Sequence, residues 1–100
     1  MTIHFNINYK TVFGEQLVLN IQKEDKELKL PMTTLDGEKW SQDWCVETVN
    51  QAYTYYYSIE REGKVSKTEW LLVKHRLDMT AKRAEQYTLY DHWNAIPEDA

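Results

Sequence analysis

Residues 53–76 hold the side chains of this sequence that are best suited to bind a ligand. The segment Tyr-Thr-Tyr-Tyr-Tyr-Ser-Ile leads through a charged Glu-Arg-Glu-Gly-Lys turn to Glu69 and Trp70. This pattern predicts a β-hairpin that carries a Trp, and several Tyr rings, to the surface of a β-domain. A flat ring on a rigid sheet can stack on the C–H bonds of a sugar while nearby polar groups bond its hydroxyls. Binding of a carbohydrate is therefore the first hypothesis.

Residues that could support catalysis or hold a metal are scattered by comparison. The histidines lie at 4, 75 and 92, and none is spaced with Cys45 or a carboxylate as a set of metal ligands. Asp36, Glu38 and Asp43 are close in sequence, but an acid–base pair needs a cleft that 100 residues do not easily provide. We therefore expect no catalysis, no metal and no cofactor in this chain.

Composition narrows the class of protein and its partners. The chain has 100 residues, 42% of them hydrophobic and 13% aromatic, which is typical of one globular domain. Its net charge is −4 with both signs interspersed, so nucleic acid and anionic membrane are not expected as partners. The single cysteine cannot form an internal disulfide, and the first residues do not resemble a signal peptide. We expect a soluble, cytoplasmic protein.

Hydrophobic residues recur with a period of two along most of the chain, which predicts strands. The predicted strands are residues 2–9, 17–21, 28–32, 44–49, the two arms of the hairpin in 53–76, and 87–90. Val18 is expected among the outward positions of the second strand. Residues 79–86 alone favour a helix by propensity, and they are few enough to be a single turn. These elements predict an all-β fold, an antiparallel immunoglobulin-like sandwich of about seven strands.

The predicted core consists of the apolar positions that alternate with polar ones on these strands. They are Ile3, Phe5, Ile7, Leu17, Leu19, Trp44 and Val46. The domain is expected to span residues 1–92, with 93–100 beginning a linker to a downstream domain. Trp93 is expected to pack this tail against the rest of the chain.

The order of several short motifs resembles a known family. The motifs are Phe13-Gly14-Glu15 before a strand, Trp44 at the start of a central strand, the Tyr-rich strand at 53–57, and Glu69-Trp70 with Arg76 six residues later. In this order they resemble a family 20 carbohydrate-binding module, the starch-binding domain. The tail at 87–98 is similar to the stretch that follows such a module in bacterial 4-α-glucanotransferases of the amylomaltase type, glycoside hydrolase family 77.

The resemblance implies two glucan sites. The first is built on two Trp rings and a Lys, and here Trp70 matches one of those Trp residues. The strand position that supplies the Lys falls on Tyr56, or on Thr54 if the register slips by two. The loop for the other Trp is shortened to 23–27 and has no aromatic residue. In the second site Phe13 matches one aromatic residue, and Trp40 lies in the loop where its partner is expected.

Two functions follow from this sequence. The first is a non-catalytic module that binds starch, glycogen or malto-oligosaccharide through α-1,4-glucan and targets a downstream 4-α-glucanotransferase catalytic domain of the same chain. The alternative is an immunoglobulin-like spacer or protein-interaction domain that packs against its own parent enzyme. Without the resemblance, Trp70 could be packed or exposed with equal ease; with it, exposure is favoured.

Overall fold

The computed structural model describes residues 1–23, 26–46, 52–78 and 86–97. Within these ranges the chain forms nine β-strands and no α-helix. They are β1 (Thr2–Asn8), β2 (Glu15–Lys23), β3 (Lys26–Pro31), β4 (Thr33–Thr34), β5 (Lys39–Cys45), β6 (Ala52–Arg61), β7 (Lys64–Thr68), β8 (His75–Asp78) and β9 (Gln86–His92). The prediction of an all-β sandwich is confirmed, while the predicted number of about seven strands is too low.

The first sheet has the order β4-β5-β1-β9. β1 pairs antiparallel with β5 and parallel with β9, so that Ile3 lies between Trp44 and Tyr87. The parallel pair departs from the antiparallel pattern that was predicted. It places the ends of β1 and β9 at the same edge of the sandwich, where Asn8 is opposite His92.

The second sheet has the order β3-β2-β6-β7, and β8 also pairs with β6. β7 pairs with residues 58–61 of β6, and β8 pairs with residues 52–55. Because β2 occupies the other edge of β6, β7 and β8 lie end to end along one edge. The predicted second arm of the hairpin is therefore two strands, separated by the loop at 69–74, which we call the Trp70 loop.

The core lies between the two sheets and is made by alternate residues of each strand. Every member of the predicted core is buried, which confirms that part of the prediction. On β6, Tyr53, Tyr55 and Tyr57 are buried while Thr54 and Tyr56 on the opposite face are half-buried. Phe5 and Tyr55 form a T-shaped pair, as do Trp44 and Tyr53, with ring centroids 5.1 and 4.9 Å apart. Such aromatic pairs contribute about 0.5–1.5 kcal/mol beyond their buried area.

Val18 is buried, although it was predicted to face outward. It lies on central strand β2, with Pro31 opposite on β3 and Ser58 opposite on β6. An ion pair of 3.8 Å joins Lys29 of β3 to Glu60 of β6 across β2. Val18 is thus covered by neighbours on its own sheet, because a strand flanked on both sides loses exposed area on both faces.

Two predicted boundaries differ from the structure or lie partly outside its description. The fourth predicted strand begins at Lys39 rather than at Trp44, and residues 47–49 lie outside the described ranges. The helix considered at 79–86 also lies outside them, except for Gln86, which starts β9. No helix within the described residues is long and apolar enough to cross a membrane.

Candidate functional site

Tyr56 and Thr54 lie side by side on the outer face of β6, as their spacing of two requires. The Tyr56 hydroxyl donates to the Glu27 carboxylate, 3.1 Å from both oxygens, and the Thr54 hydroxyl donates to Gln22 Oε1 at 2.9 Å. Partial burial, followed by the Glu27 charge and this hydrogen bond, raises the pKa of Tyr56 to about 12. The phenol is therefore a neutral donor on the outer face at physiological pH.

Lys74 brings an ammonium group to this face, which the sequence reasoning missed. Its Nζ lies 5.7 Å from the centroid of the Tyr56 ring and donates to Gln22 Oε1 at 2.9 Å. The strand position expected to hold a lysine carries Tyr56, so the cation comes instead from the neighbouring segment. The register of β6 and β8 would have indicated this position. His75 pairs with Tyr55, so the residue before it, Lys74, lies opposite Tyr56.

Trp70 is half-buried at the start of the Trp70 loop, where the pairing along β6 is interrupted. Its backbone N–H donates to the carbonyl of Asn94 at 2.9 Å, and its own carbonyl accepts from Val73 N at 3.3 Å. Among the described residues the Trp70 ring stacks on no other aromatic ring. The three residues that follow, 71–73, are exposed and apolar. The loop therefore presents an apolar tip that Asn94 holds at its base.

Glu69 anchors the Trp70 loop from below and is only 1% exposed. Its carboxylate accepts the backbone N–H of Tyr57 at 2.7 Å and that of Asn94 at 2.6 Å. His75 Nε2 lies 3.0 and 2.9 Å from its two oxygens. One buried carboxylate thus ties β6, β8 and the tail to the base of the Trp70 loop, which fixes where that loop begins.

A second carboxylate, Asp91 on β9, completes this buried polar cluster. Its Oδ2 accepts hydrogen bonds from the hydroxyls of Tyr55 at 2.8 Å and Tyr57 at 2.7 Å. Burial is the main cause that raises the pKa of both phenols, and the charge of Asp91 adds to it. Burial lowers the pKa of His75, but the Glu69 hydrogen bond and the charges of Glu69 and Asp91 outweigh it, so the net shift is upward.

Phe13 and Trp40, predicted to share the second site, meet at one surface depression. The depression has a volume of about 330 Å³ and is formed by residues 11–15, Thr34, Asp36, Gly37 and Trp40; we call it the Phe13 depression. Phe13 is fully exposed at its rim (101%). Thr11 ties the two loops together, since its backbone N–H and its hydroxyl donate to the Gly37 carbonyl at 2.9 and 2.8 Å.

Trp40 differs from the prediction in one respect. It lies on β5 rather than in a loop, and it is only 4% exposed. Its indole N–H donates to the Tyr9 carbonyl at 3.2 Å. Trp40 is buried because its partner across the sheet is the core residue Ile7. It can form part of the floor of the Phe13 depression, but it does not offer a free ring face.

Asp36 shapes the loop beside Phe13. Its Oδ1 accepts the backbone N–H groups of Glu38 and Lys39, each at 2.9 Å. Those two hydrogen bonds are the main reason that the pKa of Asp36 is lowered. The carboxylate therefore stays charged and holds the turn, with a hydrogen-bonding capacity that a hydroxylated ligand could still use.

The geometry of these surfaces suits binding. They are shallow, carry aromatic rings and have polar groups at their margins. Within the part of the chain that the structure describes, no three His, Cys, Asp or Glu side chains cluster closely enough to hold a metal ion. No protein-family model matches this sequence, and no curated protein sequence is significantly similar to it.

Proposed function

We propose that this chain is a non-catalytic α-glucan-binding module of the starch-binding type, which targets a cytoplasmic 4-α-glucanotransferase to its substrate. The observation that carries the proposal is the Phe13 depression. Phe13 and Trp40 are 27 positions apart in sequence, and the resemblance assigns them to one site; the fold brings both to the same depression. A fully exposed Phe ring has no packing role at that place, whereas it can stack on a pyranose.

The outer face of β6 supports a further contact with glucan. Tyr56, Thr54 and Lys74 supply a ring, a hydroxyl and an ammonium group on one surface. The Trp70 loop lies at the edge of β6 that pairs with β7 and β8. Trp70 here stands alone, because the shortened loop at 23–27 has no second Trp. We therefore expect this face to bind more weakly than the Phe13 depression.

The test is calorimetric titration with maltoheptaose, using Phe13→Ala and Trp70→Ala. Loss of a stacking ring should weaken binding by about 1–3 kcal/mol, the scale of ring stacking on nucleobases, with little change in melting temperature. Matched controls are Leu35→Ala and Leu72→Ala, which remove exposed apolar side chains from the same two regions without removing a ring. Unchanged affinity in both ring variants, or no binding by the wild type, would contradict the proposal.

A second candidate function is supported by the exposed aliphatic residues. Leu35 and Leu72 are exposed to 107% and 83%, and a sugar does not require them. Exposed apolar loops are typical of surfaces that dock on another protein domain. If the chain is a spacer or interaction domain, Leu35→Ala or Leu72→Ala should weaken its binding to the parent enzyme. In that case the wild type either does not bind maltoheptaose or binds it as well as the Phe13 and Trp70 variants do.

The role in the parent enzyme has its own test. A weak module attached to a catalytic domain raises the local concentration of a polymeric substrate and adds nothing to bond breaking. Deleting residues 1–100 should therefore lower activity on long glucans and spare activity on short malto-oligosaccharides, as measured by steady-state rates. An equal loss on both substrates, with a lower melting temperature, would favour the spacer function.

A further inference from the structure

Tyr9 and Trp93 form an aromatic pair that neither predicted glucan site includes. The parallel register of β1 and β9 ends at Asn8 opposite His92, so the next residue of each strand lies at the same edge. The two rings have centroids 4.5 Å apart at an interplanar angle of 41°. Both are half-buried and pack against the core. Since the rings are already fixed, a ligand that contacts them has little side-chain entropy to remove.

A depression with a volume of about 280 Å³ lies beside Tyr9 and is lined by Asn8, Tyr9, Lys10, Glu38 and Lys39; we call it the Tyr9 depression. The Tyr9 N–H donates to the Glu38 carbonyl at 2.8 Å, which ties its two walls together. Its size is close to the lower end for small-molecule pockets, roughly 300 Å³. One monomer unit of a larger ligand would be the natural occupant.

The polar side chains of this lining form a mixed set. Asn8 offers both a donor and an acceptor, Lys10 and Lys39 offer donors, and Glu38 offers acceptors. In the described part of the chain none of these four side chains makes a hydrogen bond or a close ion pair, although the charge of Lys39 helps to lower the pKa of Asp36. Hydroxyl groups both donate and accept, so a polyhydroxylated ligand can bond to the lysines, to Asn8 and to Glu38. An anion would leave the Glu38 acceptors unused, and an apolar molecule would leave all four groups without a partner.

Lys67 adds a cationic boundary to the ring pair. From the exposed strand β7 its Nζ lies 5.7 Å from the Tyr9 centroid and 5.9 Å from the Trp93 centroid. The second sheet thus contributes to an edge that is otherwise built from β1, β5 and β9. The lysine residues distinguish the Tyr9 depression from the Phe13 depression, whose lining contains no lysine.

We infer that the Tyr9 depression binds one pyranose unit of a saccharide, with the Tyr9 ring as its aromatic wall and Trp93 packed against that ring. This inference rests on the proposed glucan-binding function and adds a third contact surface to it. A chain with several separate surfaces can hold a polymer at more than one point, and its binding then strengthens with glucan length.

The experiment is a titration of the chain with maltoheptaose followed by ¹⁵N–¹H correlation spectra. Saturable shifts are expected at the Trp93 indole N–H and at the backbone amides of Asn8, Lys10 and Lys39. In the double variant Asn8→Ala/Lys39→Ala these shifts should need at least tenfold more ligand. Signals of Phe13 and Trp70 should respond as in the wild type.

The matched control is Lys64→Ala, which removes an exposed lysine from the start of β7. It should leave the Trp93 response unchanged. If Phe13 or Trp70 responds while the Trp93 indole does not, or if the double variant binds as the wild type does at Trp93, the Tyr9 depression is not a saccharide site and the proposed function stands. If no signal responds, both are overturned.

Discussion

Glu69 is the residue on which the local structure around Trp70 depends most directly. A carboxylate that is 1% exposed must have its lone pairs satisfied, and here two backbone N–H groups and His75 do so. Removing one partner from a buried pair of this kind costs about 3–5 kcal/mol, because the other charge stays buried. The Glu-Trp pair in the sequence identified the Trp70 ring as a candidate for binding, whereas Glu69 is the residue that holds the base of the Trp70 loop.

The protonation of His75 should make stability depend on pH. Its pKa in the folded chain is raised, so the folded state binds its proton more tightly than the unfolded state, whose pKa is about 6.5. The stabilisation is fully present below pH ~6.5 and is lost as the pH rises through the folded pKa. His75→Gln should therefore lower the free energy of unfolding most at pH 5.5 and least at pH 9, as measured by urea denaturation.

His4→Gln is the matched control for this prediction. His4 also has a raised pKa, caused first by its hydrogen bond to Asp43 at 2.6 Å, but this pair is exposed to solvent. Exposed ion pairs are screened by water and salt, so the control should change stability little at any pH. A stability loss in His75→Gln that stays constant or grows with pH would contradict the assignment.

At the residue scale, the alternation of side chains along a strand was predictable from the sequence. It separates buried Tyr53, Tyr55 and Tyr57 from Thr54 and Tyr56, because successive strand residues face opposite sides. It did not predict the burial of Trp40, which depends on pairing with Ile7, 33 positions away. The position of Lys74 was missed for the same reason, since it follows from cross-strand register.

At the scale of elements, the hairpin between β6 and β7 has an unfavourable turn. Glu62 has a φ of 54° and Gly63 a φ of 78°, the left-handed pair that a tight two-residue hairpin requires. Gly accepts this conformation freely, whereas a Glu side chain strains it by about 1 kcal/mol or more. The predicted turn at Gly63 is confirmed. The backbone strain at Glu62 destabilises the folded state, and a residue better suited to this conformation would avoid it.

Glu62→Asn should therefore stabilise the chain. Asn tolerates the left-handed region, and Asn-Gly is the preferred pair for this turn. We expect a gain of roughly 0.5–1 kcal/mol in the free energy of unfolding, measured by chemical denaturation. Lys64→Asn, two positions further along in β7, should give no gain because Asn is disfavoured within strands. Equal or lower stability of Glu62→Asn would rule out strain at this turn.

The elements that the sequence did not predict are those that depend on distant partners. β4 has only two residues and exists through its pairing with β5. β8 is separated from β7 because the Trp70 loop leaves the edge of β6 and returns to it. The parallel pairing of β9 with β1 joins opposite ends of the chain, and no local pattern specifies it. The local alternation of apolar and polar residues thus predicts where strands lie, but it does not predict which strands pair with each other.

At the scale of the whole molecule, residues that were expected to begin a linker pack against the sandwich. The Trp93 ring packs at a tilt against Tyr9, and the Asn94 backbone exchanges hydrogen bonds with Glu69 and Trp70. The Asn94 amide also donates to the Val73 carbonyl at 2.8 Å. These contacts connect the last strand to the base of the Trp70 loop, so the sandwich uses residues 93 and 94 as part of its fold.

A chain that ends at residue 92 should therefore be much less stable than one that ends at residue 97. The shorter chain loses the aromatic contact to Tyr9 and leaves the buried Glu69 carboxylate without one of its backbone donors, for which a cost of about 2–4 kcal/mol is expected. Thermal unfolding of the two chains measures the difference. Because the Asn94 carbonyl accepts from Trp70 N and the Asn94 amide donates to the Val73 carbonyl, the shorter chain should also lose protection from hydrogen exchange in the Trp70 loop, at Trp70 and Val73, before β6 does. Equal melting temperatures and equal protection would place the boundary of the folded domain at residue 92, and the segment after it would then be a linker.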